Sequence, residues 1–85
     1  MYNGPERRDK LRLSANQPVT LTIFLDETSN SFRGILVDAS RTGLGIIVES
    51  AVALGTVVEV RADGGAVYGQ VHHCADKPGG GFRIE

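Results

Sequence analysis

Between Val19 and Leu25 the chain alternates: Val19, Leu21, Ile23 and Leu25 fall on one side of an extended backbone, and Thr20, Thr22 and Phe24 on the other. A period of two predicts a half-buried β-strand. Residues 32–37 and 44–49 predict the next two strands, and in the second Leu44, Ile46 and Val48 are assigned to the core while Gly45, Ile47 and Glu49 face outward. Residues 56–61 alternate again, with Thr56, Val58 and Val60 opposing Val57, Glu59 and Arg61. Residues 66–74 resume an extended run in which Val67, Gly69 and Val71 share a parity, and residues 81–84 finish the pattern with Phe82 and Ile84 placed to seal one end. Between these runs lie a polar loop at 26–31, a turn at 38–43, a turn or single short helical piece at 50–55, the Asp63-Gly64-Gly65 turn and a loop at 76–80 containing Pro78. No helical pattern is long enough to cover a parallel sheet, so the chain is expected to be all-β, a small antiparallel barrel or tightly rolled sheet of about six strands. Closure would protect the edges of so small a sheet. The expected core is Leu21, Ile23, Leu44, Ile46, Val58, Val60, Val71 and Phe82.

Composition sharpens this picture. Eighty-five residues suffice for one modest core, so residues 1–85 are expected to form a single domain. Eleven glycines favour many tight turns over a helical bundle. Nine Lys and Arg against ten Asp and Glu leave a formal charge of −1, which gives the whole molecule no strong attraction to nucleic acid or an anionic membrane. Local charge is different: residues 6–12, Glu6-Arg7-Arg8-Asp9-Lys10-Leu11-Arg12, hold four basic and two acidic groups, a patch suited to a compact anion. The single cysteine excludes an intramolecular disulfide and suits a reducing compartment. No signal-peptide pattern appears, and no apolar run approaches the roughly 18 residues needed to span a bilayer, so a cytoplasmic location without membrane insertion is expected.

Candidate chemistry gathers at Asp38-Ala39-Ser40-Arg41-Thr42-Gly43. Asp38 and Ser40 can close a turn through their own backbone, and Gly43 can take a positive φ. Asp38 is also an acceptor for ring N–H and amino groups of a guanine, and the Ser40 hydroxyl can donate or accept. Gly45 leaves room on the outer side for a planar base, although a bulge or a close strand crossing explains the same glycine. Arg8 and Arg12, four apart and preceded by Arg7, carry guanidinium forks suited to phosphate or to the O6/N7 edge of guanine. The same arginines also fit a solubilising N-terminus.

Other chemistry is poorly provided for. In His72-His73-Cys74 an extended backbone points His72 and Cys74 one way and His73 the other, and no second ligand pair at recognised zinc spacing exists. A cysteine nucleophile lacks an indicated base and substrate-stabilising donors. Gly79-Gly80-Gly81 lacks the Lys-Ser/Thr and the strand-to-helix setting of a phosphate loop. A small RNA- or DNA-binding barrel is opposed by the near-neutral charge and by the isolation of Phe24 and Tyr68, which form no aromatic platform.

Arg8-Asp9-Lys10-Leu11-Arg12 resembles the RxxxR element of PilZ domains, and Asp38-Ala39-Ser40-Arg41-Thr42-Gly43 resembles their D/N-x-S-x-x-G element. The likeness extends through Pro18-Val19, the 44–48 strand, the Leu54-Gly55 turn and the terminal 81–84 strand. The resemblance implies a six-stranded antiparallel β-barrel that binds the bacterial second messenger cyclic di-GMP as a non-catalytic receptor or adaptor, with no metal or other cofactor and with a downstream protein partner. It implies that Arg8 and Arg12 grip phosphates and guanines, that Asp38 and Ser40 hold guanine edges, that Gly43 keeps the turn in shape, and that Arg7 adds a phosphate contact. Residues 1–12 would then be a flexible ligand-binding arm. Glu85 follows directly on the last expected strand, so the C-terminal helix of many relatives is not expected here. A barrel that serves only protein interaction is the alternative.

Overall fold

The structure is a computed structural model and describes residues 16–25 and 28–85. The expected arm at 1–12 therefore lies outside the described residues. Seven strands follow in chain order: β1 Gln17–Leu25, β2 Thr28–Ala39, β3 Leu44–Val48, β4 Val57–Ala62, β5 Gly65–Gln70, β6 Cys74–Asp76 and β7 Phe82–Ile84. They form one antiparallel sheet in the order β5-β4-β1-β2-β3-β7-β6, with no helix among the described residues.

The two edge strands of this sheet are consecutive in the chain, and the link between them stitches the roll together. Val71 N–H donates to Thr56 O at 2.9 Å and Gly55 N–H to Val71 O at 2.7 Å, tying the link to the approach to β4. On its other side His72 N–H donates to Glu85 O at 2.7 Å and Glu85 N–H to His73 O at 2.9 Å, tying it to the end of β7. These bonds satisfy backbone groups that an open sheet edge would leave to solvent. The link is also why the strand expected over 66–74 divides into β5 and β6, giving seven strands where about six were expected.

Inside the roll lie Val19, Leu21, Leu36, Ile46, Val48, Val52, Val58, Val60, Val67, Val71 and Ile84, all buried, with Ile23, Phe32, Leu44 and Phe82 partly buried around them. Alternation thus placed the core faces of β1, β3, β4 and β5, while Leu44, Ile23 and Phe82 are rim rather than centre. Val52 sits in the 50–55 connection, which contains no helix, and fills the core from a loop. Gly34 is buried in the middle of β2, and an ideal Cβ there would lie 2.8 Å from both Ile46 Cγ2 and Leu21 Cδ1. Those two side chains occupy the space that a larger residue on β2 would have taken.

The loop expected over 26–31 is shorter than its polarity suggested. Residues 28–31 continue β2 and pair with β1 out to Leu25↔Thr28, and Thr22 Oγ1 lies 2.9 Å from Ser31 Oγ. All four residues are exposed, so backbone pairing holds them extended where no apolar alternation marks a strand.

Candidate functional site on the outer face of β2, β3 and β7

The turn expected at 38–43 begins later, because Asp38 and Ala39 still belong to β2. Leu36 pairs with Ile46, but Asp38 pairs with Gly45, a register shift that leaves one extra residue on β2. Asp38 has the parity of Gly34 and Leu36, which are buried, and an unbroken ladder would send its carboxylate into the core. The bulge reverses the phase and turns Asp38 outward, where its side chain is 65% exposed.

Residues 40–43 then close tightly. Ser40 N–H donates to Gly43 O at 2.9 Å, and Thr42 N–H donates to Ser40 Oγ at 3.3 Å. The Ser40 hydroxyl lies 3.4 Å from Gly43 O and 3.2 Å from Thr42 Oγ1, long for O–H···O bonds. A hydroxyl held so loosely can turn to a better partner at small cost. Gly43 does not use the positive φ open to a glycine; the positive-φ glycines among the described residues are Gly55, Gly64, Gly65, Gly79, Gly80 and Gly81. The turn uses the Gly43 carbonyl, which any residue supplies, and a Cβ at this position would meet nothing within 4 Å. What the glycine leaves is open space above the turn.

The room expected over Gly45 is already taken. Arg83, on the outer side of β7 opposite Ile47, lays its guanidinium across Gly45, so that an ideal Cβ there would lie 2.8 Å from Arg83 Nη2 and 3.2 Å from Cζ. Its Nη2 faces Asp38 Oδ2 at 3.6 Å, and its Nε–H donates to Glu85 Oε2 at 2.8 Å. Arg83 is the residue that sequence reasoning missed. The alternation Phe82-Arg83-Ile84 signalled that it points outward, but only the β3–β7 register brings it over Gly45.

The site continues across the sheet. Pro18, Ile35, Ile47 and Arg83 pair successively across β1, β2, β3 and β7, giving an outward row with an apolar middle. Beside it runs a groove of about 400 Å³ lined by Pro18, Arg33, Ile35, Ile47, Glu49 and Gly81. An acceptor at Asp38, a donor at Arg83, a loosely held hydroxyl at Ser40 and a flat apolar shelf are the elements that hold a planar heterocycle with a polar edge. Of the expected site residues, the structure brings Asp38, Ser40 and Gly43 together; Arg7, Arg8 and Arg12 lie outside the described residues.

His72 and His73 are exposed in the link after β5 and Cys74 is half-buried at the start of β6. Among the described residues no group of three or more His, Cys, Asp or Glu side chains is placed to hold a metal ion, and no helix is long and apolar enough to cross a membrane.

A rolled antiparallel sheet with an Asp-x-Ser-x-x-Gly turn opening from its second strand defines a small all-β domain. The PilZ domain family model matches residues 6–85, and the chain belongs to that family, whose members are in general non-catalytic receptors of cyclic di-GMP. No curated protein and no solved structure matches it.

Proposed function

We propose that this chain binds cyclic di-GMP reversibly, without a metal or covalent cofactor, and acts in the cytoplasm as a non-catalytic receptor or adaptor for a downstream protein. The observation that carries the reading is the bulge before Asp38, which takes a carboxylate out of the core phase and exposes it two residues before Ser40. Membership of the family supports the ligand. In this reading Asp38 accepts from the ring N–H and amino group of a guanine, Ser40 bonds the same base, and the open space at Gly43 admits it.

Chain connectivity supports a role for the arginines. β1 begins at Gln17 opposite Leu36, two residues from Asp38. Arg12 precedes Gln17 by five residues, a reach of up to about 17 Å when extended, while two strand residues carry β2 about 7 Å from Leu36 to Asp38. Residues 1–12 are thus proposed as an arm that folds over the site, with Arg8 and Arg12 on phosphates and guanine faces and Arg7 on a further phosphate. The 1–85 chain would act as one domain.

Isothermal titration with cyclic di-GMP, GMP and single-stranded RNA at several salt concentrations tests the proposal. Selective binding of the cyclic dinucleotide is expected. Comparable RNA binding with a steep salt dependence would replace it with a nucleic-acid barrel. Absence of all binding would leave an interaction domain, a role for which the exposed Phe24, Val57 and Tyr68 on the neighbouring strands β1, β4 and β5 offer apolar surface.

A further inference from the structure

Resting on that reading, we infer that Arg83 joins Asp38, Ser40 and Gly43 as a fourth residue of the nucleotide site on the sheet and that, paired with Asp38, it selects guanine over adenine. Gly45 is buried on the strand between them, and its missing Cβ is what lets a guanidinium lie flat against β3. The Nε–H bond to Glu85 at 2.8 Å holds the guanidinium from its other side and leaves Nη2 facing Asp38 Oδ2.

At 3.6 Å the Arg83–Asp38 contact is an ion pair too long to be a hydrogen bond, and the two side chains are 39% and 65% exposed. Among the described residues no hydrogen bond engages the Asp38 carboxylate. Each group therefore keeps hydrogen-bonding capacity directed at solvent, and together they present donors next to acceptors along one line.

Guanine carries the complementary edge: O6 accepts, and N1–H and the N2 amino group donate. Arg83 would donate to O6 while Asp38 accepts from N1–H and N2–H. Adenine reverses both relations, setting its N6 amino donors against the Arg83 donors and its N1 lone pair against the Asp38 carboxylate. Polar groups left unpaired or opposed in this way reject the wrong base more strongly than a missing apolar contact does. The exposed ion pair itself adds little to folding, so the glycine and the paired charges are better accounted for by recognition than by stability.

The test compares cyclic di-GMP, its inosine counterpart cyclic di-IMP and cyclic di-AMP on wild-type protein, Arg83→Met and Gly45→Ala, each variant first shown to be folded by its thermal transition. Inosine keeps O6 and N1–H and lacks only the N2 amino group. Arg83→Met should weaken cyclic di-GMP and cyclic di-IMP alike, by about tenfold, while cyclic di-AMP binding stays equal or improves. Gly45→Ala, which displaces the guanidinium without removing it, should shift the guanine-to-adenine ratio in the same direction. A purely structural role would weaken all three ligands together, and that result, or unchanged selectivity in either variant, would overturn the assignment of Arg83 while leaving the receptor reading standing. A wild type that binds none of the three would overturn both.

Discussion

Gly34→Ala isolates the packing that positions the site. The new methyl group would meet Ile46 Cγ2 and Leu21 Cδ1 at 2.8 Å and the Ile47 carbonyl oxygen at 3.1 Å. Two of these neighbours are ends of side chains, but the third is backbone of β3, the strand that carries Gly45 and begins just after the Ser40 turn. The strand cannot retreat without disturbing its ladders to both β2 and β7. Overpacking of this kind costs about 1–3 kcal/mol, and removal of glycine freedom from the unfolded chain returns about 0.4–1 kcal/mol. The expected net loss is about 1–2 kcal/mol, against a total stability of roughly 4–13 kcal/mol for a domain of this size. Urea unfolding followed by circular dichroism measures it, with a melting temperature about 4–16 °C lower as a second readout. Because Leu21 supplies one of the clashing atoms, Leu21→Ala should be less damaging in the Gly34→Ala background than alone, with a coupling of about 0.5–3 kcal/mol. Neutral or stabilising Gly34→Ala, or strict additivity with Leu21→Ala, would contradict this close packing of β2 against Leu21 and β3.

Leu36→Ala, at a side chain with 0% exposure, should cost about 2–5 kcal/mol, and Leu44→Ala at the rim clearly less; equal losses in denaturant titrations would contradict the placement of the two. Gly81→Ala should destabilise by about 1–3 kcal/mol, since φ is +81° and the added Cβ would lie 2.8 Å from the Val48 carbonyl oxygen, and an unchanged melting curve would count against that conformation.

Strand identity was legible wherever one face of the chain is buried. Leu21, Ile46, Val58 and Val60 read correctly because a half-buried strand must alternate. Residues 28–31 did not, because they are exposed on both sides and held by pairing with β1. Val52 was hidden because a loop residue that fills a core has no period to announce it. At the site the motif residues Asp38 and Ser40 were visible as chemistry, but the phase reversal was not. A bulge depends on how two distant strands align, and Val37 carries no local mark of being the extra residue. Arg83 was unreadable for the same reason, since its meaning comes from Gly45 on the neighbouring strand, far from it in sequence. Gly43 has no need of the positive φ open to it, because the turn is closed by backbone and hydroxyl bonds that suit ordinary conformations.

The most direct measurement is a calorimetric titration of the purified chain with cyclic di-GMP, repeated with Arg8→Ala, Arg12→Ala and Asp38→Ala after each is shown to be folded. Reversible binding by the wild type is expected, with weaker binding by all three variants, each losing charge-assisted hydrogen bonds worth roughly 1.5–3 kcal/mol, or about tenfold or more in affinity. A folded wild type that gives no binding across the micromolar range, with active ligand confirmed on a control receptor, would contradict the proposed function and leave only the fold and the family.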